Sequence, residues 1–188
     1  MILRLLALAL LIAAPAAPAL SLEDSRSAKR KLERVQDRKM TPGERLVLSE
    51  NEINSYLRYD YADELPAGLS DPLLRLEPDR VTGSGLVDFV EWRAADGSSP
   101  GPFLTWLLAG RRRVEAVCRF TSANGYGRTD IEAVRIAGFT ISASTVTFLI
   151  ENLVRPRYAA AVVGRTVALG YNLQQVRVER SRAVLVAR

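Results

Sequence analysis

The sequence predicts an α+β protein, a curved antiparallel sheet of hairpins packed against two amphipathic helices. Three observations predict it. Runs of alternating polarity are joined by short turns, at Glu77-Pro-Asp-Arg80, at Ser122 to Gly127 and at Arg180-Ser181. Two stretches, behind Ser49 and behind Ser142, carry apolar residues at helical spacing after a capping serine. An amphipathic stripe must be buried against another layer, so both helices are expected to lie on the sheet.

Residues 1–19 have the layout of a secretory signal peptide. One positive charge at Arg4 precedes an apolar core from Leu5 to Ala14 and a small-residue end at Ala17-Pro18-Ala19. Pro15 and Pro18 break the run short of the roughly 20 apolar residues that a spanning helix needs. No cysteine follows to carry a lipid anchor, so export is expected, to the periplasm or to the extracellular space and cell envelope. Residues 20–43 are rich in charge, including Glu23, Asp24, Arg26, Lys29, Arg30, Lys31, Glu33 and Arg34. With Leu32 and Val35 as a thin stripe, they read as a solvated, partly helical leader ending at Thr41-Pro42-Gly43. A single folded domain is expected from residue 44 to residue 188.

That domain starts with a short strand at Leu46-Val-Leu48. Ser49-Glu-Asn-Glu52 then forms a capping box, in which the serine hydroxyl accepts from the Glu52 N–H and the glutamate reaches back. The following helix carries Ile53, Tyr56, Leu57 and Tyr61 on one face and ends at Leu65-Pro-Ala-Gly68. Leu73 to Leu76 and a long strand from Val81 to Trp92 make a hairpin. Gly83 and Gly85 within it signal a bend or close packing against another element. A loop at 94–101 leads to a short helix, Pro102 to Gly110, with proline at its first position. Arg111, Arg112 and Arg113 open a strand to Phe120, and the return strand runs from Asp130 to Ile136. Ile131 and Val134 fall out of phase, which places a bulge near Ala133. The helix behind Ser142 carries Val146, Leu149, Ile150 and Leu153 and stops at Pro156. A closing hairpin joins Val176-Arg-Val-Glu179 to Ala183-Val-Leu-Val-Ala187.

The composition narrows the chemistry. The chain of 188 residues has no histidine, one cysteine and a formal charge of +5. Without histidine there is no Ser–His or Cys–His couple and no imidazole metal site. The three lysines, Lys29, Lys31 and Lys39, all fall in the leader, away from any Ser–Lys dyad in the domain. Carboxylates such as Asp60, Asp63, Glu64 and Asp88 are available for a hydrolase but form no motif. Gly83-Ser-Gly85 lies inside a strand and Gly125-Tyr-Gly127 in a turn, so neither is a phosphate loop. No cofactor, no metal and no enzymatic activity are expected. Cys118 shares a strand face with Val114, Ala116 and Phe120 and reads as a structural thiol. The positive charge suits anionic lipid or cell-wall polymer, and export argues against nucleic acid as a partner.

Three groups of residues are candidates for binding. Ile53, Tyr56, Leu57, Val146, Leu149, Ile150 and Leu153 line a channel for an apolar ligand if the sheet wraps the two helices loosely. Packed tightly, they make only a core. Phe103 and Trp106, followed by Arg111, Arg112 and Arg113, have the composition of an interfacial anchor facing an anionic membrane. The bland alternative for them is a buried helix with a solvated arginine run behind it. Tyr56, Tyr59 and Tyr61 are amphipathic rings suited to a groove or to ordinary packing.

The order of these elements, with Leu48-Ser-Glu-Asn-Glu-Ile53, the hairpin Leu74 to Phe89 and the helix Ser142 to Leu153 before a last hairpin, resembles the tubular lipid-binding (BPI-like) superfamily. Bacterial cell-envelope lipid-binding proteins of that group are the nearest in pattern. The loop at 94–101 and the Trp/Arg segment depart from it. The resemblance implies an apolar channel that binds or transfers lipid without catalytic residues. The expected function is thus an exported carrier of lipid or another long apolar ligand. The alternative is an envelope scaffold that binds a protein through a sheet edge or apolar patch.

Overall fold

Strand alternation and helix caps together dictate most of the architecture. A computed structural model of the chain describes residues 20–89, 109–151 and 163–188. The signal-like segment, the strand end at Trp92, the loop at 94–101, the helix with Phe103 and Trp106, and the helix end at Leu153 lie outside these residues. In order, the described elements are α1 (Leu22–Gln36), β1 (Arg45–Ser49), α2 (Glu50–Tyr59) and a 3-10 turn (Ala62–Glu64). They continue with β2 (Leu69–Glu77), β3 (Arg80–Asp88), β4 (Arg111–Ala123), β5 (Tyr126–Ile136) and β6 (Phe139–Thr140). The chain closes with α3 (Ala143–Leu149), β7 (Thr166–Ala168), β8 (Leu173–Glu179) and β9 (Arg182–Ala187).

The protein is α+β with antiparallel sheets, as expected, but its strands divide between two of them. One has the order β1-β9-β8, and the other β2-β3-β4-β5-β6 with β7 also on β5. Each has its own core. Val87, Phe89, Val134, Ile136 and Ile141 are buried together on the larger sheet, with Val146 and Leu149 of α3 against them. Leu46, Leu48, Leu173 and Leu185 of the smaller sheet are buried with Ala28 and Val35 of α1, and Ile53 and Tyr56 of α2 pack on them. The two sheets are sewn together at one end. Asp79, in the β2–β3 turn, donates to the Val178 carbonyl at 3.0 Å and accepts from the Phe120 N–H at 2.9 Å. The Ser122 hydroxyl donates to the Val176 carbonyl at 2.6 Å and accepts from the Val176 N–H at 2.8 Å.

The charged leader is the main correction. Residues 22–36 are not a solvated spacer but a helix of the folded unit, lying along α2. Ser25 and Ala28 have no exposed surface, and Val35 is also buried. Small side chains at a helix contact let two axes come close, and Ser25, Ala28 and Ser55 supply them here. The charges on this helix then serve as links. Lys31 Nζ meets Glu52 Oε1 at 2.5 Å, Lys29 Nζ meets Asp60 Oδ1 at 3.0 Å, and the Ser21 N–H donates to Ser55 Oγ at 3.1 Å.

Local expectations fare better. Ser49 and Glu52 make the full capping box, Glu52 N–H to Ser49 Oγ at 3.1 Å and Ser49 N–H to Glu52 Oε2 at 2.8 Å. A Cβ at Gly85 would stand 2.9 Å from Leu69 Cδ1 and 3.2 Å from the Ser70 carbonyl oxygen, so Gly85 marks close packing, whereas a Cβ at Gly83 would make only ordinary contact, at 3.4 Å from Leu74 Cδ2. The bulge is present as well. Val117 pairs with Ala133 and Cys118 with Ile131, which leaves Glu132 as an extra residue. It turns Ile131 and Val134 to the same face, so the phase change disappears. Cys118 sits on the inner face opposite Val81 and Ile131 and is half-buried. Burial, with the nearby Glu132 charge, pushes its thiol up from the ordinary value.

Candidate functional site

The larger sheet has two unlike faces. The inner one carries Leu69, Val87, Val114, Ala116, Ile131, Val134 and Ile136, whereas the outer one carries arginines, glutamates and hydroxyls. Covering the inner face falls partly to α3. Ser142 starts that helix by accepting from the Thr145 N–H at 3.3 Å. Ile141 just before it is pinned to the sheet, its N–H donating to the Val134 carbonyl at 2.9 Å. Helical spacing then turns Val146, Leu149 and Ile150 toward β5.

Between α3 and β5 lies an open pocket of about 320 Å³. Ile131, Val134, Ile141, Val146, Ile150 and Val163 provide its apolar wall, and Asp130, Glu132 and Thr147 stand at its border. Its volume falls at the lower end of small-molecule sites, roughly 300–1,000 Å³. The gap exists because β5 is paired on its outer side only at its ends. Residues Tyr126 to Arg128 pair with β7, and Arg135 and Ile136 pair with β6.

Both border carboxylates are held as anions. The Arg128 guanidinium, hydrogen-bonded to Asp130 at 2.8 Å, keeps that carboxyl below the usual range. Hydrogen bonds from Arg80 at 2.7 Å and Arg119 at 2.8 Å do the same for Glu132. Neither is poised to give up a proton near neutrality. Among the described residues, no three cysteine, aspartate or glutamate side chains gather as a metal ion would require.

The apolar residues singled out in the sequence do not meet in one channel. Val146 and Ile150 line the α3–β5 pocket, and Leu149 packs on the core beside it. Ile53 and Tyr56 lie on the other core, under the smaller sheet and close to α1. Leu57 borders a separate recess of about 350 Å³ with Arg58, Leu65, Leu69 and Pro72. Leu153 lies outside the described residues. The cause of the separation is α1, which takes the apolar face of α2 that a channel would have needed. Tyr56 and Tyr61 stack with ring centres 5.9 Å apart, while Tyr59 is exposed.

The arginine run is also divided. Arg111 and Arg113 project from the outer face of β4, and Arg112 is on the inner face opposite Val87. A strand alternates sides, so three consecutive residues never present together. Arg111 Nη2 donates to Ser70 Oγ at 2.7 Å. Phe103 and Trp106 lie outside the described residues. Ile131, Val134 and Ile141 are pocket residues that the sequence reading passed over, although the predicted bulge was the signal that puts the first two together.

Sheet edges are occupied in two places. Asn54 and Glu50 of α2 hydrogen-bond the backbone of β2, and Lys31 Nζ donates to the Val47 carbonyl of β1 at 2.8 Å. No described helix is long and apolar enough to cross a membrane. Compared with protein-family profiles, curated proteins and solved structures, the chain matches none of them.

Proposed function

We propose that the protein is exported and binds an acyl chain or another long apolar ligand at the cell envelope, without chemistry on it. The observation that carries this reading is the apolar pocket between α3 and β5, lined by Ile131, Val134, Ile141, Val146 and Ile150. Its border anions, each tied to an arginine, leave the interior to dispersion and hydrophobic contact. Burial of a methylene chain there supplies affinity at roughly 25 cal/mol per Å². The net charge of +5, with Arg111 and Arg113 exposed on the outer face, favours approach to anionic lipid surfaces. The order of elements that resembles the tubular lipid-binding superfamily is a second support, and the signal-like residues 1–19 are the ground for export.

The scaffold reading, a protein bound through a sheet edge or apolar patch, finds little room along β2 and β1, whose outer backbone groups are taken by side chains. It is favoured only at β5, whose edge is paired just at its ends.

The deciding experiment is native mass spectrometry of the protein purified from its own envelope, followed by palmitate uptake. A bound species of lipid mass that leaves on denaturation, together with uptake that Val146→Trp blocks, supports the carrier. A clean apo-protein that takes up no lipid from added vesicles overturns it.

A further inference from the structure

The outer face of the larger sheet contains a groove of about 490 Å³ that the apolar pocket does not share. Its floor is made by Thr82 and Ser84 of β3 and Val117 of β4, and its rim includes Arg75, Arg80 and Arg135. The rim arginines differ in how they are compensated. Arg135 Nη1 pairs with Glu115 Oε1 at 2.9 Å, and Arg80 Nε pairs with Glu132 Oε2 at 2.7 Å. Arg75 is exposed and makes no side-chain hydrogen bond or ion pair with any described residue. The hydroxyls of Thr82 and Ser84, both half-buried, likewise hydrogen-bond no described residue. Register brings these three together: Arg75 pairs with Thr82 and its neighbour Leu73 with Ser84, all on the outer face.

We propose that this groove is a phosphate-binding site, with Arg75 as the charged donor and the Thr82 and Ser84 hydroxyls as its floor. A guanidinium presents a planar fork of N–H donors that matches two oxygens of such an anion. Two hydroxyls spaced two residues apart on a strand stand about 7 Å from each other, since the rise is about 3.4 Å per residue. All three donors stand on one face of the sheet, the guanidinium on β2 beside the two hydroxyls on β3, and an anion with more than two oxygens can accept from all of them where a carboxylate cannot. Glu115 and Glu77 border the groove, but Glu115 is neutralised by Arg135 and Glu77 lies within the field of Arg80. Of the three groove arginines Arg75 alone makes no ion pair with a described residue, and the three face two groove carboxylates, Glu77 and Glu115. The inference does not rest on the apolar pocket, which uses the opposite face of the sheet.

The shared chemistry is a phosphate group, free or carried on a lipid headgroup, and the test has an arm for each. In the first, inorganic phosphate is titrated into the purified protein by calorimetry. In the second, sedimentation with phosphatidylcholine vesicles is compared with and without phosphatidic acid. Arg75→Ala should weaken binding at least tenfold in whichever arm shows it, and the double change Thr82→Val with Ser84→Ala should weaken it further. Arg182→Ala, on the smaller sheet, should leave it unchanged. Circular dichroism of each variant checks that the fold survives. Phosphate heat lost in Arg75→Ala assigns a soluble ligand, and phosphatidate-dependent sedimentation lost in the same variant assigns a lipid. Binding that survives Arg75→Ala, or no binding in either arm, overturns the site.

Discussion

The carboxamide of Asn54 takes the place of a strand beside Leu74. Its Nδ2 donates to the Leu74 carbonyl at 2.8 Å, and its Oδ1 accepts from the Leu74 N–H at 2.7 Å. One turn earlier on α2, Glu50 Oε2 accepts from the Leu76 N–H at 2.6 Å. The helix therefore closes the edge of the larger sheet while its other side packs on the smaller one. Asn54 has no exposed surface, so water has no access to replace it.

Asn54→Ala leaves both backbone groups of Leu74 without their partner. An unsatisfied buried group costs about 1–3 kcal/mol, so the expected loss is about 2–4 kcal/mol. Equilibrium urea unfolding measures it. A loss below about 0.5 kcal/mol would mean that the strand edge finds water or another donor.

Glu52 gives the protein a defined acid sensitivity. Burial alone would raise its carboxyl. Hydrogen bonds from Lys31 and Ser27 and from the Ser49 N–H outweigh that and hold it below the ordinary value. In the unfolded chain a glutamate titrates near pH 4.3. The folded group is lower, so its contribution is complete above that pH and disappears as pH falls through the folded value. Urea midpoints taken from pH 6 down to pH 3 should fall more steeply for the native protein than for Glu52→Gln. Parallel curves would remove Glu52 from the cause.

Ala28 tests whether the first helix is integral. No part of it is exposed, and it sits where α1 meets the second core. Ala28→Leu inserts three heavy atoms into that contact. Overpacking of this kind costs about 1–3 kcal/mol. A free leader would tolerate leucine there with no change in melting temperature, and that result would contradict the packed helix.

Two substitutions on the larger sheet separate filled core from open pocket. Ile136 is only 2 % exposed, and Ile136→Ala should cost about 2–5 kcal/mol. Val146 borders the α3–β5 pocket, so Val146→Trp should be accommodated with a change below about 1 kcal/mol. Thermal unfolding of the pair gives the comparison. A Val146→Trp protein as unstable as Ile136→Ala would mean that the space is not free.

Much of the local structure was legible because its signals are local. Ser49 with Glu52 announced the start of α2, Ser142 that of α3, and the clash of phase between Ile131 and Val134 announced the bulge. Position in the fold was less legible. The inward face of α1 is made largely by Ser25 and Ala28, which carry almost no apolar signal, so a packed helix looked like a solvated one. That single omission also misplaced Ile53 and Tyr56, because the surface they needed for a channel is the one α1 covers. The split into two sheets was hidden for a related reason. The smaller sheet forms because β1 pairs with β9, and Ser122 meeting Val176 and Asp79 meeting Val178 join it to the larger one, all contacts between residues far apart in the chain, whereas hairpin turns report only on neighbours.

The extra residue in β5 gives that strand slack. In a regular strand, losing one residue turns everything beyond it inside out. Here a chain lacking Glu132 would set Ile131 and Ala133 opposite Cys118 and Val117 in unbroken sequence, with Val134 and Ile136 still facing inward. The deletion would keep the apolar side chains turned inward. What it would strip away is the one carboxylate gripped by both Arg80 and Arg119. Losing one residue at this point of the strand thus leaves the inward faces in place, and the change would register in the outer ion pairs, at the border of the α3–β5 pocket and at the Cys118 thiol, all of which lose the Glu132 charge.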